Sequence, residues 1–250
     1  MNDKNTRIES AKKNIMAGFF SRLVSILIPF VSRTILLRIM EAEYLGLNSL
    51  FSSILSVLSL AELGVDSAIT YNMYKPLAEG NTDQVCALLN LYKKLYKIIG
   101  TVILCVGLVC IPFLNKMING DIPSNINIVL LFVIFLVNSS IGYFMFAYKR
   151  SLLIALQRND IASNISTIII LLQNVLQIVL YYIFKNFYLY AIVLPICTVV
   201  SNLACNFIAN RKYKEYQPYG NISNETRREI KKTTRGIGYY KVDYAIQECF

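Results

Sequence analysis

Residues 17–37, AGFFSRLVSILIPFVSRTILL, and residues 46–68, GLNSLFSSILSVLSLAELGVDSA, are two long apolar runs near the start of the chain. Each is long enough to cross a bilayer as a helix, which takes roughly 20 residues at about 1.5 Å each. Four ionisable side chains lie inside these runs: Arg22 and Arg33 in the first, Glu62 and Asp66 in the second. Charged groups at such depth are costly, so they indicate a functional site unless they only reach the membrane interface.

The composition of the whole chain also favours a membrane protein. Of its 250 residues, 55% are hydrophobic and 16% are charged, whereas about a quarter of the residues in soluble domains are charged. The chain has no histidine, the commonest general base and metal ligand. The six cysteines form no CxxC pair, so we expect packing residues rather than zinc ligands or disulfides. No catalytic or phosphate-binding motif is present, so we expect no enzyme activity, metal or cofactor.

Runs of crossing length predict an all-α integral membrane protein with six transmembrane helices. The predicted spans are 17–37, 46–68, 98–114, 126–148, 161–184 and 187–209, which form one transmembrane domain over 17–209, between basic tails at 1–16 and 210–250. With the N-terminus in the cytoplasm, 20 of the 25 lysines and arginines fall in cytoplasmic segments and three outside. The positive-inside rule therefore predicts cytoplasmic termini. The net charge of +10 then reflects orientation and requires no nucleic-acid partner.

An amphiphilic segment, residues 69–97, separates the second and third predicted spans. Asn81 or Thr82 can cap a helix there. One apolar face follows at helical spacing, made of Val85, Leu88, Leu89, Tyr92 and Tyr96. This pattern predicts a helix that lies on the membrane surface and runs into the third span. A ligand-binding helix is the less favoured alternative.

Arg22 and Arg33 share one face of the first predicted span. They are eleven residues apart, and eleven steps of about 100° return to within about 20° of the same direction. Ser25 and Pro29 lie on that side too, and Pro29 can kink the helix where neighbouring helices satisfy the freed carbonyl. Because reaching the two interfaces does not require a shared face, we favour arginines that face the interior of the bundle.

The acidic pair in the second span offers one simpler account of these arginines. Glu62 and Asp66 are four residues apart, hence neighbours on one helix face. They lie at the depth of Arg22, so a salt bridge from Arg22 to one of them is the structural alternative to a ligand site. Arg33 has no acidic residue at its depth, and only two glutamates in the adjoining loop. An unpaired guanidinium facing a cavity suits an anionic ligand such as a phosphate.

Polar side chains also occur inside the later spans. Gln173 and Gln177 lie on one stripe of the fifth span, and Asn202 lies in the sixth. Hydrogen bonds between helices are the simpler interpretation of these residues. The alternative interpretation is that some of these residues line a polar cavity.

Several short motifs resemble those of bacterial polysaccharide-biosynthesis membrane proteins. They are EYLGLNSLF at 43–51, AELGV at 61–65, YKPLA at 74–78, YKKLY at 92–96 and AYKRSLL at 147–153. Over about residues 10–215 the chain is similar to the Wzx-type oligosaccharide flippases, whose superfamily also holds the MATE multidrug exporters and the lipid II flippases. The resemblance implies a two-lobe transporter of the bacterial cytoplasmic membrane that works by alternating access. Its implied substrate is an undecaprenyl-diphosphate-linked oligosaccharide, moved to the outer leaflet.

The resemblance also implies roles for particular residues and partners. In the lipid-flippase branches, arginines of the first helix meet the diphosphate, a role that Arg22 and Arg33 match by helix and face. The implied partners are the lipid bilayer, the lipid-linked oligosaccharide, and a polysaccharide polymerase or glycosyltransferases. Energy from an ion gradient or from the membrane potential fits this class, with no coupling ion identified.

Family members carry a second lobe, whereas a basic tail follows the sixth predicted span. We therefore expect the N-terminal lobe alone, as a product truncated before the second lobe or as a half-transporter that pairs with another chain. Two other functions stay open. One is a MATE-like exporter of small cations with Glu62 and Asp66 as coupling acids. The other is a non-transporting scaffold subunit of a polysaccharide assembly.

Overall fold

The computed structural model of the protein describes residues 2–59, 65–118, 123, 126–223, 226–228 and 230. Among these residues the chain forms helices and no strand. The helices are α1 (Asn2–Ile39), α2 (Ala42–Ser59), α3 (Val65–Ala78), α4 (Thr82–Cys110), α5 (Leu114–Met117), α6 (Ile128–Phe144), α7 (Ala147–Ala155), α8 (Asn159–Phe184) and α9 (Phe187–Lys212).

Among the described residues, four segments are long and apolar enough to cross a membrane: Gly18–Ile39, Thr82–Met117, Asn159–Phe184 and Phe187–Lys212. The bent pair α6 and α7 adds a fifth if its two helices make one span. An all-helical fold with several helices of crossing length is thereby confirmed. The first, fifth and sixth predicted spans each lie within one helix, whereas the third, 98–114, begins in α4 and continues beyond its end at Cys110.

The second predicted span does not lie within one described helix. Helix α2 ends at Ser59, and α3 begins at Val65. Residues 60–64, and with them Glu62, lie outside the described residues. The count of six spans therefore stays a prediction.

The fourth predicted span, 126–148, is broken near its end. Helix α6 stops at Phe144, and α7 leaves at an angle of 51°. Phe146 stands between them with a left-handed backbone, at φ 56°. This conformation costs a non-glycine residue roughly 1–2 kcal/mol, so the bend depends on the packing around it. No proline marks the break, which explains why the sequence reads as one continuous run.

Three apolar clusters of described residues pack the helices together, and the two larger ones position the site. In the first, Phe51 of α2 packs against Phe132 and Phe135 of α6, with ring centroids 5.3 and 5.7 Å apart. Helix α4 joins this cluster closely, because Gly107 lets it approach Leu136 of α6. The first cluster thus ties the early helices to the later ones.

The second cluster overturns one prediction. The apolar face of α4, which includes Val85, Leu88 and Tyr92, is fully buried and packs against α3 and α7. The predicted contact of this face with the membrane surface is therefore wrong, because periodicity reveals an apolar face without telling whether lipid or protein covers it. The position of the helix relative to the membrane stays a prediction. The predicted cap and the run into the third span are confirmed. Asn81 accepts a hydrogen bond from the backbone N–H of Gln84 at 3.0 Å, and α4 continues without a break to Cys110.

The segment after α9 turns back over α4 and α7. The buried ammonium of Lys149 donates to the backbone oxygen of Tyr216 at 2.9 Å and to Gln217 Oε1 at 3.3 Å. The side chain of Asn90 donates to the backbone oxygen of Gly220 at 2.7 Å. The Lys149 bonds hold this segment against the short helix α7, which carries part of the candidate site, and the Asn90 bond holds it against α4.

Candidate functional site

A polar cavity of about 290 Å³ lies between α1, α2, α6, α8 and α9. We call it the Arg33 cavity. Its polar lining consists of Ser32, Arg33, Asn48, Ser52, Asn138, Gln173, Asn174, Gln177 and Tyr190. The Arg33 guanidinium donates to Ser49 Oγ at 3.2 Å, which aims the cation across from α1 to α2. Gln177 is held by a hydrogen bond from its amide to the backbone oxygen of Tyr190, at 3.3 Å.

A second, larger cavity of about 670 Å³ is also lined by α1 and α8. We call it the Arg22 cavity. Its polar lining consists of Ser21, Arg22, Ser25, Tyr96, Tyr143, Arg150, Asn159, Ser163, Ser166, Gln173, Thr198, Ser201 and Asn202. Gln173 lines both cavities, so the two spaces adjoin along α8.

The charge in these cavities has one sign among the residues that the structure describes. Arg22 and Arg150 line one cavity and Arg33 lines the other, whereas no aspartate or glutamate lines either. Within the described part of the chain, none of the three guanidinium groups forms an ion pair with a carboxylate. Amide and hydroxyl groups supply the rest of the polar lining, so the site presents cations together with neutral hydrogen-bonding groups.

The structure brings together the polar candidates that the sequence singled out on three helices. Arg22 and Arg33 of α1, Gln173 and Gln177 of α8, and Asn202 of α9 all line one of the cavities. Ser25 and Pro29 line them as well, so the predicted face of α1 is the cavity-lining face. Helix α1 stays continuous through Pro29.

Asp66 does not pair with Arg22. Its Oδ1 accepts hydrogen bonds from the Tyr92 hydroxyl at 2.5 Å and from Ser151 Oγ at 2.7 Å. Of the two acids offered as salt-bridge partners of Arg22, Asp66 is therefore excluded, and its Oδ1 is bonded by hydroxyl groups from α4 and α7 instead. Pairing of Arg22 with Glu62 stays a prediction, since Glu62 lies outside the described residues.

Several cavity residues were not singled out from the sequence, among them Arg150 and Asn174. Arg150 was counted with the basic connection after the fourth span, and only the bend before α7 carries it to the cavity. Asn174 follows Gln173 and precedes Gln177 by three residues, so the polar stripe of α8 already indicated it.

Comparison of the chain with protein-family models, with curated proteins and with solved structures found no match in any of the three. The resemblance to Wzx-type flippases therefore rests on the short motifs of the sequence.

Proposed function

We propose that this chain is the N-terminal lobe of a transporter that moves an undecaprenyl-diphosphate-linked oligosaccharide across the bacterial cytoplasmic membrane. One observation carries the proposal: three arginines line two adjoining cavities in which no described lining residue is acidic. A diphosphate offers several anionic oxygens, and the guanidinium fork binds such oxygens in pairs. The surrounding amides and hydroxyls suit the hydroxyl groups of a sugar.

The same lining favours an anionic substrate over the small cations of a MATE-like exporter. A cation site needs carboxylates in or beside the cavity, and Asp66 is engaged by Tyr92 and Ser151 instead. Cations that enter the Arg22 cavity meet two arginines, whose repulsion is strong where water is scarce. The exporter therefore stays the second candidate.

In the proposed transporter the chain forms six spans with both termini in the cytoplasm. The second span combines α2 with α3, and the fourth combines α6 with α7. Broken helices are tolerated at membrane depth where they line a cavity or are buried in protein, and α7 supplies Arg150 to the Arg22 cavity. A second lobe, of this or another chain, closes the cavities by alternating access.

The substrate path follows α1. Arg22 and Arg33 are eleven residues apart, which is about 16 Å along a helix. Gln173 borders both cavities, so a diphosphate that leaves Arg22 and Arg150 meets an amide donor before it reaches Arg33. Phe19, Phe20 and Phe30 are exposed on the apolar outer face of α1. The polyprenyl tail of the substrate stays in the bilayer beside this face.

Binding of undecaprenyl diphosphate to the chain in lipid nanodiscs tests the proposal. Arg33→Ala removes charge-assisted hydrogen bonds worth about 1.5–3 kcal/mol, so the affinity should fall about 10- to 150-fold. Arg38→Ala is the matched control, because Arg38 lies on the same helix and lines neither cavity. The control should bind as the unaltered chain does.

Equal affinities of the Arg33→Ala and Arg38→Ala variants would remove Arg33 from the site. A chain that binds tetraphenylphosphonium, a lipophilic cation, and not the diphosphate would favour the exporter.

A further inference from the structure

Three lysines lie together on the outer side of α4. Lys94 and Lys97 are exposed and Lys93 is half-buried. Residues three and four apart are neighbours on a helix surface, so the three ammonium groups lie within little more than one helical turn. We call them the α4 lysine patch. None of the three lines the Arg33 cavity or the Arg22 cavity, so the site proposed above makes no use of the patch.

The acidic side chains nearby in the sequence do not neutralise the patch. Among the residues that the structure describes, none of its lysines forms an ion pair. The carboxylates in and between α3 and α4 are engaged by other groups: Asp66 by hydroxyl groups, Glu79 by Lys75 and Asp83 by the Tyr219 hydroxyl. The patch therefore offers its positive charge to an anion from outside the described chain.

The exposed side of α4 changes from charged to apolar directly after the patch. Ile98, Val102, Val106 and Val109 follow at spacings of three or four residues and are between 42% and 66% exposed. Side chains at this spacing form one stripe along a helix. The outer side of α4 thus presents ammonium groups at one end and an apolar surface along the rest, which matches a lipid headgroup and its acyl chains.

The length of the helix sets the level of the patch in a bilayer. The segment Thr82–Met117 has 36 residues, or about 54 Å of helix, whereas the hydrocarbon core is about 30 Å thick and takes about 20 residues. A stretch of about 20 residues that ends at Met117 begins at Ile98, the first position of the apolar stripe. Lys97 then lies at the edge of the core, at the level of the phospholipid phosphates.

Helix α6 marks the same level. It runs antiparallel to α4, because Gly107 lies against Leu136 and Gly100 lies against Tyr143. The chain leaves the direction of α6 at the bend of 51° that follows Tyr143 within one helical turn. On α4, Lys97 precedes Gly100 by less than one turn, so the bend and the patch lie at similar depth.

We propose that the α4 lysine patch binds the headgroup of an acidic phospholipid, whose acyl chains lie along the apolar stripe of α4. The phosphate oxygens accept hydrogen bonds from the ammonium groups. Each lysine beside an anionic membrane surface favours binding about fivefold. This site does not depend on which ligand the cavities take.

Quenching of a dye on Cys105 by brominated lipid tests the proposal in vesicles. Cys105 is exposed and follows Lys94 by eleven residues, so it lies on the same side of α4 about 16 Å farther along the helix, beside the acyl chains. Cys110→Ser and Cys249→Ser restrict labelling to this thiol, because the other cysteines are buried: Cys86, Cys197 and Cys205. The vesicles contain phosphatidylcholine with a minor fraction of phosphatidylglycerol, and bromine is placed on the acyl chains of one lipid at a time.

Brominated phosphatidylglycerol should quench the dye about tenfold more per molecule than brominated phosphatidylcholine, since three lysines favour the acidic headgroup. Glutamine at all three lysine positions should abolish this preference. Arginine at the same positions is the matched control and should retain it, because arginine keeps the positive charge. The Arg33→Ala variant should also retain it, which separates this site from the cavity.

Two results would overturn the proposal. One is equal quenching by the two lipids in the unaltered chain, or a preference that survives in the glutamine variant. The other is loss of the preference when inorganic phosphate is added at constant ionic strength, which would assign the patch to a soluble anion.

Discussion

Gly107→Ala should destabilise the chain, because it places a methyl group where α4 and α6 touch. A Cβ built on Gly107 lies 2.2 Å from Leu136 Cδ1 and 2.9 Å from Leu136 Cδ2. Leu136 is 2% exposed, so it cannot turn away without displacing its neighbours. Overpacking costs about 1–3 kcal/mol, and the better helix propensity of alanine returns about 0.5–1 kcal/mol. The net loss is therefore up to about 2.5 kcal/mol, which lowers the Tm by up to about 10 °C at this chain length.

The thermal unfolding of this chain is best followed through its thiols, because it contains no tryptophan. Cys86, Cys197 and Cys205 are buried and free, so a maleimide dye reports their exposure on heating. Gly46→Ala is the matched control, since it lies within α2 and no atom lies within 4 Å of a Cβ built there. The control should keep or raise the Tm.

A double-mutant cycle sharpens this test. Leu136→Ala removes the methyl groups that clash, so Gly107→Ala and Leu136→Ala should cost less together than the sum of their separate costs. A Gly107→Ala variant that unfolds at or above the Tm of the Gly46→Ala control would refute the close contact between α4 and α6.

Three further substitutions or reactions test other parts of the structure. Lys149→Met removes the hydrogen-bond donor to the backbone oxygen of Tyr216, so trypsin should cleave the segment after α9 faster. An unchanged cleavage rate would contradict the role of Lys149 in holding that segment. Asn186→Ala removes the capping side chain that accepts from two backbone N–H groups of α9, and should lower the free energy of unfolding by about 1 kcal/mol. Asn186→Ser keeps a capping oxygen, so its Tm should stay close to that of the unaltered chain. In the folded chain in detergent Cys105, which is exposed, should react with a maleimide before Cys205, which is buried and lines neither cavity, and equal rates by mass spectrometry would contradict the packing of α9.

Much of the candidate site was accessible from helical periodicity alone. Arg22 and Arg33 share a face because eleven residues complete just over three helical turns, and that relation holds wherever the helix packs. The same reasoning placed Gln173 and Gln177 on one stripe of α8. Periodicity does not tell which other helix packs against such a face, because it describes one helix at a time.

The partners of Asp66 show where local reasoning ends. Tyr92 and Ser151 are 26 and 85 residues away along the chain, and no periodicity relates them to Asp66. The sequence offered a nearby cation, Arg22, as the obvious partner. The structure instead supplies hydroxyl groups, which stabilise a carboxylate without neutralising it.

The sequence by itself determined that long apolar helices form and that polar groups share one face of α1 and one of α8, because both follow from local spacing along a helix. Only the tertiary structure decided that the apolar face of α4 is covered by α3 and α7, since lipid and protein demand the same apolar pattern. It also decided the bend at Phe146, where packing holds a backbone conformation that no proline or glycine signals. That bend carries Arg150 to the Arg22 cavity and Ser151 to Asp66, because contacts between distant segments arise only when the helices assemble.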